Sequence, residues 1–173
     1  VILNVPNSIT LFRLVFAFIF VYMLFSNYNK IALVVVFGVA AFTDWLDGFF
    51  ARKLKQTTTI GARMDQVIDR VFTIIIVFAL FVFAFRVNTM ENTVLFLFLV
   101  CSREIVATPG LIVRMIRNKD PYKVKYIGKV TTFIQSFAIG AIILQASWSV
   151  YLVIPTCIIG VIAGFDYLKD SLS

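Results

Sequence analysis

The sequence predicts an all-α integral membrane protein: six transmembrane helices preceded by a short N-terminal interfacial segment. Three observations predict it. Of 173 residues, 61% are hydrophobic and 14% charged, whereas soluble domains lie nearer one half and one quarter. Mean hydropathy is +0.96. The apolar residues also run in stretches close to the roughly 20 residues that a helix needs to cross a bilayer, which excludes a secreted, disordered or disulfide-built protein.

The stretches lie near 11–27, 31–50, 61–86, 92–115, 126–147 and 149–168. Ahead of the first, Asn4 to Arg13 is too polar for a signal peptide and reads as an interfacial lead-in. Bases then set the orientation. Arg52, Lys53 and Lys55 flank the second stretch, and Arg114, Arg117, Lys119, Lys123, Lys125 and Lys129 surround the connection after the fourth; only Lys30 and Arg86 mark the other side. The positive-inside rule therefore puts the connections near 51–60 and 116–125, and both termini, in the cytoplasm. No linker or repeat interrupts the chain, so one membrane domain over 1–173 is expected. The formal charge of +7 is assigned to topology and anionic lipid, with no nucleic-acid partner.

Histidine is absent, which excludes His-based metal sites, His general bases and Ser-His or Cys-His nucleophiles. Cys101 and Cys157 stand alone in apolar runs and read as small buried hydrophobes. Chemistry must then rest on carboxylates. Asp44 and Asp47 share one face of the second helix at i,i+3, and Asp65 and Asp69 share one face of the third at i,i+4. At about 5 Å and an effective dielectric near 20, two ionised carboxylates repel by about 3 kcal/mol, so the cluster calls for divalent cations. Oxygen-only ligation favours Mg²⁺ or Mn²⁺ over Zn²⁺, and Mg²⁺ commonly completes its shell with substrate phosphate. Gly48 and Ala51 leave room on the same helix, either for a ligand or for helix packing. Arg52 offers a fork for a diphosphate or a topological anchor, and Gly61 starts the third helix or lets a nucleotide approach.

The ordered string Asp44-x2-Asp47-Gly48-x2-Ala51-Arg52-x8-Gly61-x3-Asp65-x3-Asp69 resembles the signature of the CDP-alcohol phosphotransferases at every fixed position. The resemblance implies that Asp44, Asp47 and Asp65 hold two divalent cations, with Asp69 near the second ion and acting as general base. It implies that Gly48, Ala51, Arg52 and Gly61 hold the CDP moiety. The leading Asn4-Val5-Pro6-Asn7-x2-Thr10-x2-Arg13 is similar to the start of phosphatidylglycerophosphate synthases and related cardiolipin synthases, which would place Asn7 and Thr10 near the nucleotide; a helix cap at Asn7 or Ser8 is the alternative. The implied reaction transfers a phosphatidyl group from CDP-diacylglycerol to an alcohol and releases CMP, at the cytoplasmic face of the cell membrane and in a homodimer.

The acceptor is read from the bases. Arg103 lies inside the fourth stretch beside Glu104, where a charge must face protein or water; it is either an acceptor ligand or half of an ion pair. Arg114 and Lys129 are the further acceptor candidates. Arg103-Glu104 and Gly128-Lys129-Val130-Thr131-Thr132 resemble acceptor-side elements of phosphatidylglycerophosphate synthases, implying glycerol 3-phosphate. Gln66, Leu111 and Thr131 depart from that pattern, leaving phosphatidylglycerol, as in cardiolipin synthases, or an inositol phosphate as alternatives. A cation or proton transporter is the competing class; the position of the four aspartates beside the basic boundary argues against it.

Overall fold

A computed structural model of the chain describes residues 5–53, 59–87, 90–117 and 126–172, with the side chains of 5–10, 44–45, 47–52, 59–60, 62, 87, 90–91, 126 and 171–172 left outside the description. The described residues are helical apart from short turns, with no strand among them. The helices are α1 (Val5–Phe25), α2 (Lys30–Lys53), α3 (Thr59–Val87), α4 (Met90–Val100), α5 (Ser102–Ile116), α6 (Tyr126–Ile143) and α7 (Val150–Leu172), with one 3₁₀ turn at Ser147–Ser149. Each expected apolar stretch is thus helical, and the fourth is divided at Cys101. Helix α1 begins at Val5, so the described part of the lead-in continues directly into the first apolar run. Pro6 fits its first turn, where a missing N–H breaks no intrahelical bond.

Among the described residues, three helical segments are long and apolar enough to cross a membrane: Arg63–Arg86, Asn92–Ile116 and Ser147–Asp170. Leu11–Phe25, Lys30–Thr43 and Ile127–Ile143 are shorter apolar helices. Aromatic side chains such as Phe18, Phe78, Phe98, Phe133 and Tyr151 face outward, while Arg13, Glu104, Gln135 and Thr156 are buried. Apolar surface outside and polar groups inside suit a lipid solvent.

The chain divides into two compact units, Val1–Arg86 and Val87–Ser173. In the first, α1 ends at a Schellman turn: Asn27 takes φ 55°, Tyr28 N–H donates to Met23 O at 3.1 Å, and Asn27 N–H to Leu24 O at 3.3 Å. Asn29 Oδ1 then accepts from Ile31 N–H at 3.0 Å to start α2. The core stripes run 4-3 or close to it: Ala17, Phe20 and Leu24 on α1; Leu33, Phe37 and Ala40 on α2; Ile68, Phe72 and Ile76 on α3. Phe37 joins all three, lying edge-on to Phe20 at 6.4 Å and stacked on Phe72 at 6.0 Å. Phe25 and Phe83 close the other end at 6.4 Å.

In the second unit α5 and α7 approach closely because α7 carries glycines one turn apart. A Cβ on Gly160 would lie 3.0 Å from Arg103 Cβ, and one on Gly164 would lie 2.8 Å from Val106 Cβ. Small residues at this spacing let membrane helices come into backbone contact. On α6, Gly128 leaves room for the Tyr167 side chain of α7, whose hydroxyl a Cβ would meet. Helix α6 ends as α1 does, with Gln145 at φ 55° and Ala146 N–H donating to Ala141 O at 3.0 Å. At the break between α4 and α5, Gln135 Nε2 donates to Val100 O at 3.3 Å, so a side chain from α6 serves a carbonyl at the end of α4.

Candidate active site

In the first unit, the buried stripe of α1 ends in a charge. Arg13 sits one turn before Ala17 on the same face and is only 1% exposed. A buried guanidinium needs anionic partners, and α3 provides two. Arg13 Nη1 donates to Asp69 Oδ1 at 3.4 Å, and Nη2 lies 3.9 Å from Asp65 Oδ1. The aspartates are one turn apart, in register with Phe72 and Ile76, so the polar ends of two inward stripes meet. Their side chains remain 45% and 33% exposed, and Asp65 Oδ1 is itself buried. Most of the exposed part of the Asp65 side chain therefore lies away from that oxygen.

Asp44 and Asp47 extend the α2 sequence register Leu33, Phe37, Ala40 by further steps of four and three, but their side chains lie outside the described residues. So do those of Asn7, Thr10, Gly48, Ala51 and Arg52. Gly61 is described, half-buried in the first turn of α3. Among the described residues no group of three or more His, Cys, Asp or Glu side chains could hold a metal ion. The donor set present still fits a hard divalent ion: Asp65 and Asp69 are oxygen donors on one face, open in part to solvent, and no histidine exists in the chain to favour a softer metal.

The acceptor candidates all belong to the second unit. Arg103, 12% exposed, lies 3.6 Å from Glu104 Oε1 through its Nη1. The same nitrogen donates to Thr132 Oγ1 at 2.7 Å and Gln135 Oε1 at 3.3 Å, while Arg103 Nε is buried with no hydrogen-bond partner among the described residues. The ion pair expected as one alternative from the sequence is present, and Nε is the donor left over among the buried atoms described. Lys129 is exposed on α6, three residues before Thr132. Arg114 Nη1 donates to Asp170 O at 3.0 Å, at the end of α7 where helix carbonyls lack intrahelical partners.

Arg13 stands in the leading motif of the sequence with no role that the motif assigns. Its signal was the 4-3-4 spacing to Ala17, Phe20 and Leu24, which puts the charge on the apolar face. Nothing in the sequence marks Thr132 and Gln135, 29 and 32 positions away, as partners of Arg103.

Residues 3–162 match the profile of the CDP-alcohol phosphatidyltransferase family. The chain is similar to the CDP-diacylglycerol–glycerol-3-phosphate 3-phosphatidyltransferase of Wigglesworthia glossinidia brevipalpis, with 34% identity over 154 residues covering 87% of this chain and 82% of that protein. It is 37% identical over 138 residues to the protein of that name from Aquifex aeolicus (strain VF5), covering 79% and 74%. The protein of that name from Blochmanniella floridana is 28% identical over 152 residues, covering 86% and 78%. With the aspartate spacing, the all-helical fold and a match over nearly its whole length, this chain belongs to the CDP-alcohol phosphatidyltransferase family.

Proposed function

We propose that the chain is a phospholipid synthase that transfers a phosphatidyl group from CDP-diacylglycerol to a hydroxyl of glycerol 3-phosphate, releasing CMP. The relatives matched over most of the chain are named for that donor and acceptor. The observation that carries the reading is the Asp65–Asp69 pair, one turn apart on α3 with both Oδ1 atoms against one buried guanidinium. Arg13 brings one positive charge to two carboxylates whose side chains stay 45% and 33% exposed, an arrangement that leaves room for a divalent cation on the same carboxylates.

Asp69 takes the proton from the acceptor hydroxyl, and the freed oxygen attacks the phosphorus that carries the diacylglycerol. The bond from that phosphorus to the bridging oxygen of the diphosphate breaks, and CMP departs with the electron pair. Asp44, Asp47, Asp65 and Asp69 hold two divalent cations, Mg²⁺ or Mn²⁺, which when bound neutralise charge on the diphosphate and the leaving group. Asn7, Thr10, Gly48, Ala51, Arg52 and Gly61 hold the CDP moiety. Arg103, Arg114 and Lys129 bind the acceptor phosphate; the buried Nε of Arg103 supports this, being a donor with capacity to spare. Six helices cross the cytoplasmic membrane as one domain with the site at the cytoplasmic face, the donor's acyl chains stay in lipid, and two copies form a homodimer.

The test is CMP release by purified protein given CDP-diacylglycerol, Mg²⁺ and one acceptor at a time. Release with glycerol 3-phosphate, abolished by a chelator, is expected. Release with phosphatidylglycerol or an inositol phosphate alone would reassign the acceptor. No release with any of them, together with cation flux in liposomes, would replace a transferase with a transporter.

A further inference from the structure

We propose that Arg13 is a positioning residue of the reaction: its guanidinium bridges Asp65 and Asp69, fixes the direction of both carboxylates, and sets how tightly the divalent ions are held. The inference rests on the proposed function, which puts ions on these aspartates. Nη1 donates a hydrogen bond to Asp69 Oδ1 at 3.4 Å, and Nη2 stands at ion-pair distance, 3.9 Å, from Asp65 Oδ1, so one guanidinium faces both carboxylates. A planar fork joining two side chains fixes their relative orientation in a way that a point charge cannot. Arg13 is 1% exposed and lies in the buried register of α1, so packing holds the guanidinium as well. It is a fixed cation beside a site for exchangeable ones.

Two effects on ion affinity oppose each other. Holding the carboxylates in place saves the ordering of two short side chains, a small contribution. The guanidinium also repels a divalent ion bound to the same carboxylates, and a doubly charged partner at such short range makes this the larger effect. Arg13 therefore weakens ion binding while improving alignment. Removing it should tighten the ions and slow turnover, an opposition that loss of fold alone does not produce.

The experiment compares detergent-solubilised parent, Arg13→Gln and Arg13→Lys by Mn²⁺ binding, read from the electron paramagnetic resonance of free Mn²⁺, and by kcat and KM for CDP-diacylglycerol. Arg13→Gln should bind Mn²⁺ about tenfold more tightly and lose on the order of 10²-fold in kcat, with KM for CDP-diacylglycerol little changed. Arg13→Lys should restore parental Mn²⁺ affinity, because the charge returns, without restoring kcat, because the fork does not. Parental Mn²⁺ affinity in folded Arg13→Gln, or parental kcat in Arg13→Lys, overturns the proposal, and the lysine variant decides if the glutamine variant does not fold. A parent that binds no Mn²⁺ refutes the ion site itself, and so marks failure of the proposed function instead.

Discussion

Replacing Arg103 by methionine separates structure from acceptor binding in the second unit. Arg103 Nη1 and Glu104 Oε1 are 3.6 Å apart, and the two side chains are 12% and 9% exposed. At an effective dielectric near 20, that separation corresponds to an attraction of about 4–5 kcal/mol, and hydrogen bonds from a charged donor such as those to Thr132 and Gln135 add about 1.5–3 kcal/mol each. Desolvation of both ions offsets much of this. Deleting one partner of a buried pair nevertheless costs about 3–5 kcal/mol, because the other charge stays behind. Arg103→Met should therefore lower stability by about that amount in reversible denaturant unfolding in detergent micelles, and Arg103→Met with Glu104→Leu should recover most of it. The double variant, folded again but without a guanidinium, should still show a raised KM for glycerol 3-phosphate. A single variant as stable as the parent would refute the buried pair. A double variant with parental KM would remove Arg103 from acceptor binding and leave it a packing element of α5.

Three further outcomes are expected. Asp69→Asn should lower kcat by roughly 10²–10⁴-fold while CDP-diacylglycerol still binds; full turnover would exclude Asp69 as the base. Gly164→Ala should cost about 1–3 kcal/mol by forcing a methyl against Val106, whereas Gly140→Ala, with nothing within 4 Å of the new Cβ, should stabilise the helix by about 0.5–1 kcal/mol. Paired thermal melts check both, and equal effects at the two sites would contradict the close α5–α7 contact. Activity lost to a chelator should return with Mg²⁺ or Mn²⁺, and recovery with Zn²⁺ alone would contradict the hard-oxygen donor set.

Much of the candidate site is legible in the linear chain because its chemistry is local. Asp65 and Asp69 share a face as soon as α3 is helical, and their spacing from Asp44 and Asp47 is a property of the sequence. Arg13 is legible as a charge on the apolar face of α1, through its spacing to Ala17, Phe20 and Leu24, while its partners are not. An arginine near a helix start reads as an interfacial anchor, and its partner Asp69 lies 56 positions along the chain. Arg103 shows the intermediate case: its neighbour Glu104 announces an ion pair, yet Thr132 and Gln135 come from α6.

The sequence by itself determined the helical class, the places of the apolar stretches and the carboxylate spacing, since each follows from backbone periodicity and the free energy of placing side chains in lipid or water. Only tertiary structure decided that Arg13 meets Asp65 and Asp69, that the fourth stretch divides at Cys101, and that Gly160 and Gly164 bring α7 onto α5. Those outcomes depend on which surfaces of distant helices come into contact, and side chains far apart in the chain settle that by packing and charge.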